Sequence, residues 1–297
     1  METLESLQRK LSGAKDLKSV VRTMKVVAAL NIGQYEKAVL SLGDYYRTIA
    51  LGMVIYLRQT KLDIINERVK QDENPDKTIT AVVFGSDQGL VGQFNDSLAD
   101  SVKQSLLAKN GHKQILAVGE RVQLLLLDAG FSNTKLYNVP NAINTITPLV
   151  NQILTSCEEE QQNKKVNEVY IYHNKPKQGA IFEPVNQRLL PLDETWRQSF
   201  TGIPWPTNNI PKVAGSLTST ISTLVHSYLF TSLFKACAES LNSENACRLA
   251  AMQRAEKNID ELLEDLTHSF HSLRQSTIDA ELFDVVSGFE AMKNEIS

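Results

Sequence analysis

The sequence is poor in the residues that build covalent or metal-stabilised frameworks. Among its 297 residues are only three cysteines, Cys157, Cys237 and Cys247. They are too few and too scattered for a disulfide framework or a zinc site, and they indicate a reducing compartment. The five histidines show no H-E-x-x-H or comparable ligand spacing. We therefore expect no metal or other cofactor.

The sequence also lacks an excess of charge and a long apolar run. Its 31 basic and 34 acidic residues give a net charge of -3, which does not indicate nucleic acid as a partner. The most apolar segment, residues 48–57, is half of the ~20 residues that a bilayer span requires. The charged first residues do not resemble a targeting segment. We expect a soluble chain without direct membrane insertion, linked to a membrane only through partners.

Proline is missing from both ends of the chain. None occurs in residues 1–59 or after Pro211, and the only glycines beyond it are Gly215 and Gly288. A stretch of some 75 uninterrupted helical residues would span roughly 110 Å. Such a helix needs a second one to bury its apolar stripe. The stripe has the three-and-four spacing of a helix and consists of Ile259, Leu262, Leu263, Leu266, Phe270 and Leu273.

The first sixty residues predict the partner helix. Residues 9–25 carry six basic side chains and one acidic one, whereas residues 256–265 carry five acidic side chains and one basic one. An antiparallel coiled coil of the two chain ends would bring these opposite charges together. The apolar residues of the first helix are Leu4, Leu7, Leu11, Leu17, Val20, Val21, Met24, Val27 and Ala28.

The residues between the two helices predict an inserted α/β domain. Apolar runs typical of buried strands alternate there with helical patterns, which favours a small parallel or mixed sheet with helices on its faces, a Rossmann-like fold. Pro184 places the last strand at an edge. The strands are expected at 78–84, 113–119, 166–173 and 180–191, and the helices at 93–109, 120–129 and 144–161.

The fold class is therefore α/β with long helices, in which an antiparallel N- and C-terminal coiled coil carries the inserted domain. The expected boundaries are residues 1–60 for the first helix, 75–195 for the α/β domain, 196–214 for a linker and 215–297 for the last helix. Pro75 marks the exit from the first helix. The linker tryptophans, Trp196 and Trp205, are expected to pack on the sheet.

The loop GSDQGLVGQFN at residues 85–95 is the one candidate for a phosphate site, because it joins a strand to a helix. It has neither the G-x-G-x-x-G spacing nor the G-K-S/T of a phosphate loop. We interpret Gly85, Gly89 and Gly92 as the residues of a tight turn. No G-x-S-x-G or other catalytic constellation occurs elsewhere, so no catalytic residue is expected.

Three motifs in order resemble the gamma subunit of F-type ATP synthases. The segments NSENACRLAAMQRAEKN (242–258) and LRQSTIDAELFDVVSG (273–288) are similar to its C-terminal helix, VVRTMKVVAAL (20–30) to its N-terminal helix, and GSDQGLVGQFN to its foot. The resemblance implies a rotating central shaft without an active site of its own. It implies the alpha and beta subunits of the catalytic ring, the epsilon subunit and the membrane ring of c subunits as partners.

The resemblance also implies a position and a set of contacts. The complex would lie peripherally on the cytoplasmic face of a bacterial-type energy-transducing membrane. The expected foot contacts are Asp87, Gly89, Leu90 and Gly92. The expected ring-binding residues are Met24, Lys25, Arg248, Arg274, Gln275, Leu282 and Phe289.

The resemblance places two of these ring-binding residues, Arg274 and Gln275, level with the catch loops of the ring, where they would hydrogen-bond carboxylates or carbonyls. The end of the last helix should be apolar and smooth, to turn in a sleeve; Leu282, Phe283, Val285, Val286 and Phe289 suit that. The sequence departs from the family pattern at Lys25, at residues 30–34, which lack the usual basic side chains, and at Asp279.

Two other functions stay open at this point. A structural coiled-coil scaffold with a globular insertion would show the same helical pattern, and it would dimerise through its own helices. A nucleotide-binding enzyme would need the phosphate-loop residues that are absent, and it should bind a nucleotide as the isolated chain.

Overall fold

The computed structural model describes residues 3–59, 78–162, 166–177, 180–192 and 216–295, together with 196, 198, 200, 202–207 and 209. It divides into two compact units. The first consists of residues 1–27 and 249–297, and the second of residues 28–248. The predicted exit from the first helix at Pro75 lies outside the described residues.

Two long helices confirm the prediction made from the missing prolines. Helix α1 spans Leu4–Gln59, and helix α5 spans Leu217–Glu295. Helix α1 tolerates glycines that each weaken a helix by ~1 kcal/mol relative to alanine. One of them, Gly52, lets the helices approach, because a Cβ there would lie 2.8 Å from Leu224 of α5.

The second unit contains a five-stranded mixed sheet in the order β3-β2-β1-β4-β5. Strands β1 to β4 run parallel, and β5 pairs antiparallel with β4 at an edge, as Pro184 predicted. The predictions missed β3. The strands are β1 Thr78–Phe84, β2 His112–Val118, β3 Thr134–Tyr137, β4 Val166–Lys177 and β5 Ala180–Leu190; the helices between them are α2 Phe94–Leu107, α3 Glu120–Asp128 and α4 Ile143–Gln162.

Strand β1 shows how the sheet divides two cores. Val82 and Phe84 point to one face, where they join side chains of α4 and α5. Ala81 and Val83 point to the other face, against α2 and α3. This alternation follows from the two-residue period of a strand. All four side chains are 0–1% exposed, so the sheet is covered on both faces.

The linker tryptophan Trp196 packs on helices, and the prediction that it lies on the sheet is wrong. Its ring centroid is 4.8 Å from that of Phe200 and 5.6 Å from that of Tyr228 on α5. The cluster also contains Ile49 and Met53 of α1. The aromatic linker therefore fills the space between the two long helices, where its rings bury apolar area.

The first unit pairs the start of α1 with α5. Val21, Met252 and Ile259 form a buried apolar cluster. Three ion pairs flank the pairing: Lys18–Asp260, Arg22–Glu256 and Lys25–Glu256. Residues later in α1 meet residues earlier in α5, so the segments run in opposite directions. The predicted contact between the basic and the acidic segment is thus confirmed.

The buried stripe of α1 in the first unit is narrower than the sequence suggests. Leu7, Ala14 and Val21, each seven residues apart, are 2–7% exposed, which is the seam spacing of paired helices. Several leucines and valines assigned to the stripes lie on the outer surface instead, because their helical positions turn them away from the partner; they are Leu17, Val20, Val27 and Leu262. Within the described ranges, no helix is long and apolar enough to cross a bilayer.

Candidate functional site

The loop between β1 and α2 is a braced turn, as its glycines predicted. The buried Ser86 backbone N–H donates to Asn95 Oδ1 (3.0 Å), and Asn95 Nδ2 donates to Ser86 Oγ (2.8 Å). The Ser86 hydroxyl in turn donates to the Gln88 carbonyl (2.9 Å). These bonds fix the loop, so the exposed residues that follow are presented in one conformation.

Asp87 ties this loop to two others. Its Oδ1 accepts from the Glu120 backbone N–H at the start of α3 (3.1 Å), and its Oδ2 accepts from the Val139 backbone N–H (3.2 Å). A carboxylate at a helix N-terminus satisfies an otherwise unpaired donor and meets the positive end of the helix dipole. Asp87 therefore has a structural task in addition to the foot contact expected of it.

Two glycines are required where these loops approach each other. A Cβ on Gly85 would lie 2.4 Å from the Val122 side chain, and one on Gly119 would lie 2.7 Å from the Ser86 carbonyl. Gly119 also has φ +114°. By contrast, a Cβ on Gly89 would have nothing within 4 Å. Gly85 and Gly119 thus serve the fold, whereas Gly89 leaves open space at the loop surface.

Leu90 is the strained residue of the loop. Its φ is +62°, and its side chain is 63% exposed. A left-handed conformation costs a residue with a Cβ roughly 1–2 kcal/mol. Gly92 follows at φ +60° without that cost. An apolar side chain held out in a strained turn is typical of a contact residue.

The residues expected to meet the ring lie in different surroundings. Arg274 and Gln275 are exposed on α5. Met24 is partly buried beside Met252, and Lys25 pairs with Glu256. Toward the end of α5, Leu282, Phe283, Val285 and Val286 are 53–73% exposed. The side chain of Phe289 lies outside the described residues.

Glu256 of α5 pairs with two basic side chains of α1. Its Oε1 accepts from Arg22 Nε (2.7 Å), and its Oε2 accepts from Lys25 Nζ. The hydrogen bonds from Lys25 and Arg22 lower the pKa of this carboxyl from its ordinary 4.5 to about 2. The same pairing raises the pKa of Arg22. Lys25, a departure from the family pattern, therefore has an ion-pair partner within the chain.

Arg248 lies in the second unit and also pairs within the chain. Its Nη2 donates to Glu244 Oε1 (2.6 Å), and the two side chains are 17% and 7% exposed. Burial raises the pKa of Glu244, although Arg248 lowers it in part.

A group of buried polar residues, which we call the polar seam, was not predicted from the sequence. It consists of Glu239, Ser240 and Ser243 of α5, His173 and Asn174 of β4, and the carbonyl of Phe84. The signal available was a polar run on α5, ESLNSEN at 239–245, and such a run is typical of a solvated face. Its burial depends on strands more than sixty residues away.

The polar seam lies at the carboxyl end of β1 and at His173 and Asn174 of the neighbouring strand β4, level with that end. In open α/β sheets this is the switch point where ligands bind. Here helix α5 of the same chain contacts these residues. Across the part of the chain that the structure describes, no three or more His, Cys, Asp or Glu side chains come together in a group that could hold a metal.

A family model described as ATP synthase matches residues 3–292. The chain therefore belongs to the ATP synthase family. Its curated relatives include the ATP synthase gamma chains of Syntrophus aciditrophicus, 26% identical with 98% of this chain and 99% of the relative covered, and of Sulfurihydrogenibium sp., 25% identical with 97% of each chain covered. Within the family, the chain is a gamma chain.

Solved structures agree in fold. A chain of the Euglena gracilis mitochondrial ATP synthase, solved as OSCP/F1/c-ring, matches with TM-score 0.59 and 17% identity, covering 97% of this chain and 94% of that one. A chain of the Tetrahymena thermophila mitochondrial ATP synthase, solved as central stalk and c-ring, matches with TM-score 0.55 and 22% identity, covering 80% and 99%.

Proposed function

We propose that this gamma chain is the rotating central shaft of an F-type ATP synthase. It would couple ion translocation through the membrane sector to ATP synthesis or hydrolysis in a ring of alpha and beta subunits. The observation that carries the proposal is the family match over residues 3–292. The chain would contribute no active site of its own, and chemistry would stay in the ring.

The first unit supplies the shaft. Its opposed helices, with a seven-residue seam and flanking ion pairs, support an antiparallel coiled coil. Two helices inside a threefold ring are asymmetric, so three chemically identical sites would meet different surfaces. Turning the shaft then changes which site has high affinity for nucleotide, and differential contact with the states supplies the coupling.

Arg274 and Gln275 are the residues proposed to hydrogen-bond the catch loops of the ring. Both are exposed on α5, where a guanidinium and an amide are free to bond carboxylates or carbonyls of the ring. Further along α5, the exposed apolar residues from Leu282 to Val286 would turn in an apolar sleeve. Met24, Lys25 and Arg248 have partners inside the chain, so we assign them a smaller share of the ring contact.

The α/β unit is the proposed foot. Leu90, with Gly89 and Gly92 beside it, forms an exposed tip on a loop that Ser86, Asp87 and Asn95 hold rigid. This tip would contact the ring of c subunits or the epsilon subunit. The chain would then be attached to the cytoplasmic face of an energy-transducing membrane through its partners.

The test is ATP hydrolysis by the cognate alpha and beta chains, purified with and without this chain. We expect the chain to co-purify at less than one copy per alpha or beta chain and to raise turnover. Replacing Arg274 and Gln275 with alanine should lower turnover about tenfold, the loss of one charged hydrogen bond. The matched control replaces Gln253 and Arg254, an exposed pair of the same composition on the same helix.

Two outcomes would contradict the proposal. If the chain neither joins nor activates the ring, the shaft function fails, and a structural scaffold becomes the better function. If the Gln253 and Arg254 variant loses as much turnover as the Arg274 and Gln275 variant, the catch assignment fails while the shaft function stands.

A further inference from the structure

Helix α5 contacts the end of β1 and the neighbouring residues of β4 through buried polar side chains. Ser240 Oγ donates to the carbonyl of Phe84, the last residue of β1 (2.7 Å), and Ser243 Oγ donates to the Asn174 carbonyl on β4 (2.9 Å). Both serines are 1–2% exposed. Two neighbouring strands are thus held by one turn of α5.

A hydrogen-bonded pair, His173 and Glu239, reinforces these bonds. His173 Nε2 lies 2.8 Å from Glu239 Oε2, with both residues 5–7% exposed. Lys235 approaches Glu239 to 3.9 Å on the solvent side. Burial alone would raise the pKa of Glu239, but the bond and charge of His173, together with Lys235 and Lys175, hold it below its ordinary value. A hydrogen bond to a charged group is stronger than a neutral one.

The hydrogen bonds of the seam continue from β4 to the start of α2, the helix that follows the loop between β1 and α2. Asn174 Nδ2 donates to the carbonyl of Phe94, the first residue of α2 (2.8 Å). The chain of bonds therefore runs from α5 through Ser243 and Asn174 to the helix that follows the loop bearing Leu90. A force on the loop would reach α5 through directed bonds.

Directed bonds and apolar packing resist force differently. Packed helices slide by small shear movements, because apolar contact has no preferred direction. A hydrogen bond weakens steeply when its angle changes. The apolar cluster of Val82, Leu233 and Leu241 beside the seam holds α5 against the sheet, whereas the seam opposes its sliding and turning.

We propose that the polar seam is the torque-bearing joint between the foot and the shaft helix, formed where an open α/β sheet would otherwise bind a ligand. The proposal rests on the proposed function, because torque exists only if the chain rotates. His173, Glu239, Ser240, Ser243 and Asn174 are positioning residues in it. Without the seam, the foot would slip on α5, and rotation of one would move the other less.

The test uses the whole complex in lipid vesicles and measures ion pumping per ATP hydrolysed. Two variants weaken the seam: Glu239→Gln removes the charge, and Ser243→Ala removes one bond with little change in volume. We expect hydrolysis by the soluble sector to stay within twofold of wild type, and pumping per ATP to fall at least threefold. The control, Tyr137→Phe, removes a buried bond to Ser156, 2.8 Å long, outside the seam, and it should leave the ratio unchanged.

A double variant tests whether the loss of pumping comes from the weakened seam or from a general loss of folding. His173→Gln combined with Glu239→Gln replaces the His173–Glu239 pair by two amides that can hydrogen-bond each other, so the double variant should recover more of the pumping ratio than Glu239→Gln alone. The proposal is overturned if complexes with full gamma content pump as many ions per ATP as wild type in both single variants. It is also overturned if Tyr137→Phe lowers the number of ions pumped per ATP as much as the single variants do. A wild-type chain that fails to assemble or pump would instead count against the proposed function.

Discussion

Leu90 has a strained backbone and an exposed side chain. Replacing it should raise the stability of the chain and weaken its binding to the rotor. Asparagine adopts the left-handed conformation more readily than leucine. Leu90→Asn should therefore raise the free energy of unfolding of the isolated chain by about 1 kcal/mol, as measured by denaturant titration. The same change should weaken binding to the purified membrane rotor ring, because the apolar side chain is lost.

The control for Leu90 is Leu107→Asn. Leu107 is 67% exposed, at the end of α2, and has no positive φ. It should neither stabilise the chain nor weaken rotor binding. If Leu90→Asn binds the membrane rotor ring as tightly as wild type, Leu90 does not belong to the foot interface.

Glu256 should make the stability of the isolated chain depend on acid. Because Lys25 and Arg22 lower its pKa to about 2, its contribution is fully present above the ordinary value of 4.5 and is lost as the pH falls toward 2. Glu256→Gln should therefore flatten the fall in unfolding free energy between pH 4.5 and 2. Urea titrations at several pH values would measure this.

A matched glutamate provides the comparison for Glu256. Glu261 has a side chain that is 64% exposed and lies 3.7 Å from Lys257, which is itself 79% exposed. Glu261→Gln should keep the wild-type slope with pH, since screened surface pairs add little. Equal slopes in wild type and Glu256→Gln would show that the pairing of the two helices does not depend on this carboxylate.

At the scale of the strand-turn-helix element, two glycines of one turn should differ in how much stability their replacement by alanine costs. Gly85→Ala places a Cβ 2.4 Å from Val122 and forces the β1 and α3 elements apart, whereas Gly89→Ala meets nothing within 4 Å. We expect a loss of about 1–3 kcal/mol of unfolding free energy for the first and less than about 0.5 kcal/mol for the second. Equal effects in thermal or urea unfolding would contradict this reading of the turn.

The elements with a clear periodic pattern could be predicted from the sequence. The apolar runs gave four strands, and Pro184 gave the edge. Strand β3 was missed because it has only four residues, of which Tyr137 alone is buried; its place depends on pairing with β2. Short strands of this kind are specified by their neighbours.

The candidate site was predictable where the signal was local. The glycines of the loop predicted the braced turn, but the strain at Leu90 is a property of the backbone that no residue pattern encodes. The polar seam was missed because Ser240 and its partner Phe84 are 156 residues apart. Trp196 was misplaced for the same reason, since its contacts on α1 and α5 arise only in the folded chain.

At the scale of the whole molecule, the exposed apolar end of α5 should make the isolated chain self-associate. Scattered apolar side chains are normal on a surface, but a run of them marks a contact. Phe283 and Val285 are 73% and 71% exposed. Replacing both with serine should shift sedimentation toward the monomer and, in the complex, lower the stimulation of ATP hydrolysis. Leu40→Ser, at a single leucine that is 76% exposed, should do neither.

The first unit is assembled from the two ends of the chain, and this sets the order of events during synthesis. Arg22 and Glu256 are separated by 234 residues, so the N-terminal helix emerges from the ribosome long before its partner exists. Residues 28–248 are complete earlier and can fold first. At roughly 5–20 residues per second, the early apolar seam at Leu7, Ala14 and Val21 stays uncovered for on the order of ten seconds or more, the interval in which a chaperone or a ring subunit can bind it.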